Sequence, residues 1–217
     1  SINVLNRYDK FEGTVHLYVN HGRHDAYQED NGDFHSYQHE DFLYGGKVTE
    51  TAKLLPGNRI TLGVEVKSWG GTAKNPDNTT IPWLLAQNNY YVKDKFITDT
   101  SVFGLVEQKI LEYALLSAGM RYTHDSKFGD HISWQAGIVV YPLADVVEID
   151  TVDLRIHGAV AKGFRLPDLR QLYLYGPYPV RNPNPDLDPE TVFSVEYGAE
   201  LTLWDRVTLS CTGYRMY

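Results

Sequence analysis

The sequence has a single cysteine, Cys211, among 217 residues, which excludes an intrachain disulfide framework and a cysteine-based zinc site. It also lacks any run of about 18 apolar residues, so no helix crosses a membrane. Basic residues are in deficit: 20 Lys and Arg against 28 Asp and Glu leave a formal charge of −8. A groove that neutralises phosphates needs Lys and Arg concentrated on one face; none is present, and no nucleic-acid partner is expected. There is no glycine-rich phosphate loop and no serine in a nucleophile elbow. No catalytic residue and no cofactor is therefore expected. What the chain does have is rings, 16 Tyr, 8 Phe and 4 Trp, and most carry a polar tip suited to a boundary between apolar and wet surroundings.

The organising pattern is alternation with a period of two. Ile60, Leu62, Val64 and Val66 alternate with Thr61, Gly63, Glu65 and Lys67, which places one set on each face of a strand. The same pattern holds for Ala114 to Thr123, Ile132 to Val140, Asp153 to Val160 and Phe193 to Leu201. Weaker strands are expected at about 11–20, 35–50, 98–110 and 206–217, with another over 1–8, and helices are not. Several runs reach the length of about 9–11 residues that a tilted strand needs to cross a bilayer, whereas strands of globular proteins average about 5–6. Long polar connections at about 21–33, 70–97 and 165–190 alternate with short turns near Pro56, Glu112 and Trp204. Outer-membrane barrels show that asymmetry. Tyr44, Trp69, Tyr122, Tyr141, Phe164 and Trp204 lie near strand ends, where rings either form the girdles of a membrane barrel or cap the core of a sandwich.

One segment carries a resemblance. Gly163-Phe164-Arg165-Leu166-Pro167 leads to Leu172-Tyr173, and the next strand opens after Asn184-Pro185-Asp186-Leu187-Asp188-Pro189-Glu190. This resembles the barrel of TonB-dependent outer-membrane receptors, as do Ala118 to Tyr122 and Trp134 to Gly137 in the same order. Each residue also has a physical reading. Pro167 cannot donate to a ladder, so the strand must end near Leu166. The prolines from Pro183 to Pro189 impose extended backbone on the residues before them, and Gly163 suits a close-packed wall or a strand bend. Glu190 and Arg165 are placed to pair across two strand ends. Gln171 departs from the pattern, since relatives often carry Glu there.

The resemblance implies an all-β fold: an antiparallel transmembrane β-barrel, present as a partial barrel of about nine or ten strands over 1–217. A full wall of about 22 strands would take on the order of 500 residues, and neither the plug nor the segment that engages the inner-membrane TonB complex is matched. It further implies a receptor in the outer membrane, in contact with its lipid, that imports a small-molecule or metal-complex ligand by energy coupling. The expected ligand classes are iron–siderophore, haem, cobalamin and glycan. For ligand contact the segment from Arg165 to Glu190 is preferred, with Tyr173, Tyr175 and Tyr178 as rings of low conformational-entropy cost and Arg170 and Arg181 available to an anion.

The alternatives are a complete small barrel, porin-like or a rim protease using His124, Asp125, Asp130 and His131, and a soluble carbohydrate-binding β-sandwich. Five histidines fall in one stretch, His16, His21, His24, His35 and His39. Within a strand, however, His21 and His24 point to opposite faces, and Tyr37 separates His35 from His39, so no metal site is expected from the spacing.

Overall fold

The computed structural model describes residues 1–30, 33–74, 90–143, 152–173 and 184–217. Ten strands form one antiparallel meander in chain order: β1 (Ile2–Tyr8), β2 (Phe11–Asp30), β3 (Asp33–Ala52), β4 (Asn58–Lys74), β5 (Tyr90–Ile110), β6 (Ala114–Asp125), β7 (Gly129–Val140), β8 (Val152–Arg165), β9 (Glu190–Leu203) and β10 (Val207–Met216). β1 and β10 are its two edges. Every strong alternating segment is a strand, as expected. The register explains why the alternation survives along the sheet: Val48, Val64, Val102, Tyr122 and Ile132 follow one another across five strands, and the next row is Lys47, Glu65, Ser101, Thr123 and His131.

The two faces part chemically. Contacts that skip a strand, such as Tyr18 to Glu65, Arg121 to Glu65 and Lys47 to Phe103, identify the concave side, and that side is polar. The convex side carries Leu62, Val64, Val66, Val102, Met120 and Ile132, each about half exposed or more. So much apolar area facing outward is not sustained in water; it fits a wall in lipid.

Two expectations need correction. The polar stretch at 21–33 is almost entirely strand, because β2 and β3 each run 20 residues, and β5 runs 21, well beyond what a bilayer requires. Once strands leave lipid neither face has to be apolar, so the alternation disappears while the backbone ladder continues. A short helix, α1 (Leu169–Tyr173), also stands where only loop was expected. It is specified locally by a reciprocal cap: the Gln171 amide N–H donates to Asp168 Oδ1 at 2.8 Å and the Asp168 N–H to Gln171 Oε1 at 3.0 Å, the capping-box arrangement. Gln171 serves here through hydrogen bonds and needs no charge.

Candidate functional site: the luminal face and the loop that covers it

The concave face holds an ionic network. Arg121 Nη2 donates to Glu65 Oε2 at 2.6 Å and to Ser101 Oγ at 2.8 Å, and the Tyr18 hydroxyl donates to Glu65 Oε1 at 3.3 Å. The Ser101 and Thr123 hydroxyls lie 3.0 Å apart, and Lys67 Nζ is 3.0 Å from Asp99 Oδ2. The Phe103 ring lies over Gly63, where an added Cβ would clash with the ring. Lys47 and Arg121 flank that ring at 5.0 and 5.4 Å, so glycine at 63 makes room for a cation–π clamp.

At the end of the sheet carrying the long connections, the same face turns apolar, and the described residues that follow β8, Leu166 to Tyr173, fold onto it. Leu172 of α1 is fully buried, and Ile97 and Val92 of β5 and Pro167 are buried with it. The Tyr173 ring lies between Lys95 and Lys127, 5.2 and 5.5 Å from their ammonium groups, and Lys127 Nζ donates to the Pro185 carbonyl at 2.8 Å. Replacing Leu172 with Ala leaves a void under α1 that only partial collapse can fill. The expected result is faster proteolytic cleavage between 166 and 189 in the folded protein, with the strands unaffected, read by limited digestion and mass spectrometry.

Both halves of the sequence motif meet at this loop's base. Arg165 pairs in register with Glu190, their charges 3.7 Å apart and both largely exposed, a pair worth about 0–1 kcal/mol. The Asn184 N–H donates to the Gln171 carbonyl, and Asn184 Oδ1 accepts from Asp186 N–H. Leu187 closes a small cleft against Leu166, Pro167 and Gln171. The strand ends at Arg165, as Pro167 requires. Gly163 is not crowded: a Cβ there would meet nothing within 4 Å, so the close-packing reason for glycine at this position is withdrawn.

Between the folded loop and the sheet lies a cleft of about 790 Å³ lined by His16, Tyr18, His39, Asp41, Lys47, Trp69 and Asp168, among others. A second, of about 480 Å³, is lined by Glu65, Lys67, Asp99, Arg121 and Phe164. Trp69 and Phe164 thus line the lumen, with Phe164 stacked on His131 at 4.6 Å. They are not girdle rings; the inward-folding loop supplies the apolar cover that lipid was expected to give. Tyr44, Tyr122 and Trp204 remain exposed, and a row of His21, Phe42 and Phe96 joins the outward set.

The histidine–aspartate rim cluster does not assemble. Thr123 pairs with His131 and His124 with Asp130, so His124 and Asp130 share the outward face, where His124 Nδ1 is 2.7 Å from Asp130 Oδ1. His131 and Asp125 lie on the other face. Asp125 is buried and caps its own turn by accepting the Lys127 and Phe128 N–H groups. Of the residues expected to touch ligand, Tyr173 docks the loop and Arg170 lies on α1. Tyr175, Tyr178 and Arg181 lie outside the described residues. Sequence reasoning missed Glu65, Arg121 and the cleft, because the contacts that build them join strands far apart in the chain.

The sequence matches the family profile "TonB dependent receptor-like, beta-barrel" over residues 2–217. Among solved structures, a mutant of the ferric enterobactin receptor PfeA from Pseudomonas aeruginosa is 20% identical, with a TM-score of 0.70 over 99% of this chain and 33% of its own. The copper transporter OprC is 14% identical, with a TM-score of 0.75 over 99% and 37%. The siderophore receptor PirA from Pseudomonas aeruginosa, also 14% identical, has a TM-score of 0.58 over 95% and 41%. At these identities the likeness is one of fold, and the chain spans between a third and two-fifths of each. No curated protein matches it by sequence. With its apolar face outward, its charged face inward and a profile match over nearly every residue, the chain belongs to the TonB-dependent receptor β-barrel family and forms part of an outer-membrane barrel wall.

Proposed function

We propose that this wall belongs to a receptor that imports a scarce, bulky ligand by energy coupling, the ligand being of the iron–siderophore, haem, cobalamin or glycan class. The observation that carries the reading is that the described residues on either side of the 174–183 segment, Leu166 to Tyr173 and Asn184 to Pro189, lie at the luminal mouth, with a cleft of about 790 Å³ between Asp168–Leu169 and the sheet, within the range of about 300–1,000 Å³ usual for small-molecule sites. The mixed lining of rings, carboxylates and lysines offers apolar contact and hydrogen bonds together. The charged band of Glu65, Lys67 and Arg121 below the mouth faces the plug of the full-length receptor. Binding uses the loop and the mouth, whereas release into the periplasm takes work done on the plug through the inner-membrane TonB complex.

Two measurements on intact cells test this. Collapsing the proton-motive force should stop uptake and leave surface binding of the ligand intact; flux that continues down its gradient would make the protein a porin. Replacing Tyr175 and Tyr178 with Ala should weaken ligand binding at equal surface expression, and unchanged affinity would remove the loop from the binding site.

A further inference from the structure

We propose that Asp99 and Asp125 share one proton on the luminal wall, and that this proton steadies the turn anchoring the residues after β8. The two stand directly opposite each other on β5 and β6, in the row that begins with Lys67 of β4. Both are buried, with relative exposures of 3% and 1%. Each has one oxygen occupied: Asp99 Oδ2 faces the Lys67 ammonium at 3.0 Å, and Asp125 Oδ1 accepts the Lys127 and Phe128 N–H groups at 2.7 and 2.8 Å. The other two oxygens, Asp99 Oδ1 and Asp125 Oδ2, are closed off from solvent, and no N–H or O–H donor among the described residues reaches either. The carboxyls instead meet each other in a hydrogen bond, which two ionised carboxylates cannot make because neither carries a donor.

A single proton resolves that arrangement. Two carboxylates beside one ammonium leave a buried negative charge, and a carboxyl O–H between them removes it, since like charges in contact do not both stay ionised. The turn N–H groups stabilise charge on Asp125, so the proton resides on Asp99 Oδ1 and is donated to Asp125 Oδ2. The row lies above the apolar belt, because the outward residues flanking the pair in sequence are Thr98, Thr100, His124 and Ser126. Burial first, and then the hydrogen bond with Asp125, hold the Asp99 carboxyl above the usual carboxylate range against the pull of Lys67. The other charged and titratable groups facing this region are Glu65 and Arg121, paired with each other, His131, stacked on Phe164, and Lys95 and Lys127, on either side of Tyr173. Below its raised value the pair keeps the proton and its stabilisation is complete; as pH rises through that value the proton leaves, two anions face one ammonium, and the stabilisation is lost. The repulsion bears on the turn after Asp125, whose Lys127 holds Tyr173 and the Pro185 carbonyl. Proton uptake therefore tightens the anchor after β8, and proton release loosens it.

The test uses full-length protein in detergent, with folding of each variant checked by its heat-dependent gel mobility. Infrared spectra are recorded from acid to neutral pH for wild type, Asp125→Asn and Asp99→Asn. In Asp125→Asn the side-chain carbonyl still accepts the two turn N–H groups, and the amide N–H takes the place of the proton toward Asp99 Oδ1. Asp99→Asn puts the amide on the other side of the same bond and gives an independent second subtraction. Wild type minus either variant should leave the band of a protonated carboxylic acid, shifted by D2O, with a midpoint about one pH unit or more above the ordinary aspartate value of about 3.9. Proteolytic cleavage between 166 and 189 should accelerate several-fold in wild type as pH rises through that midpoint, relative to Asp125→Asn digested in parallel. Absence of the difference band, a midpoint at the ordinary aspartate value, or the same step in the cleavage rate of Asp125→Asn would each overturn the shared proton.

Discussion

Val64→Arg should destabilise the folded barrel by about 2–4 kcal/mol, whereas Gln135→Arg should cost under about 1 kcal/mol, because the first places a charge on the lipid face near mid-depth and the second places it in the lumen. Val64 and Gln135 occupy rows of opposite orientation, and both side chains are well exposed on the isolated sheet. Their difference therefore isolates the medium rather than the packing. Ile138→Arg and Leu201→Arg lie on the same outward face but closer to the ends of β7 and β9, so their cost should fall toward about 0–1 kcal/mol as the charge nears the headgroups. Equilibrium folding of the full-length protein into vesicles measures all four. Equal costs for Val64→Arg and Gln135→Arg would mean that the two faces meet the same solvent.

The second large effect is expected in the luminal network. Arg121→Ala removes the partner of Glu65 and a donor to Ser101 at once, leaving a carboxylate whose side chain is only 17% exposed. Loss of one member of a buried pair costs about 3–5 kcal/mol; with Arg121 itself about a third exposed, the low end of that range applies. The paired change Arg121→Met with Glu65→Gln should recover much of the loss, since no charge is then stranded. A double-mutant cycle on the full-length protein checks this, and additive single effects would show that the two side chains do not act together.

How much of this could be read from the sequence follows from what makes each feature. The transmembrane parts of β4, β6, β7, β8 and β9 were legible because lipid on one side and water on the other force a period of two onto the residues. The outer halves of β2 and β3 were not, since both faces there meet water and only backbone hydrogen bonds keep the strand. Pro167 marked the end of β8 through a rule of backbone chemistry. The turn of helix at Asp168 was in plain view as an Asp-x-x-Gln cap, yet it is too short for a periodic signal. Glu65 and Arg121 are 56 residues apart, and Asp99 faces Asp125 only through the pairing of β5 with β6. Such neighbours follow from which strand lies beside which, a property of the whole sheet.

In a barrel wall the convex face meets lipid and the concave face meets an aqueous, protein-lined lumen. Spin labels read this directly. With Cys211, which is exposed, first replaced by Ser, single cysteines at Val64, Val102 and Ile132 on one face and at Lys47, Ser117 and Gln135 on the other are labelled in the full-length protein in vesicles. Collision rates with dissolved oxygen and with a water-soluble nickel chelate are then compared. Labels on the first face should be reached mainly by oxygen and those on the second should not; a preference for the nickel chelate at Val64 and Val102 would contradict the barrel wall outright.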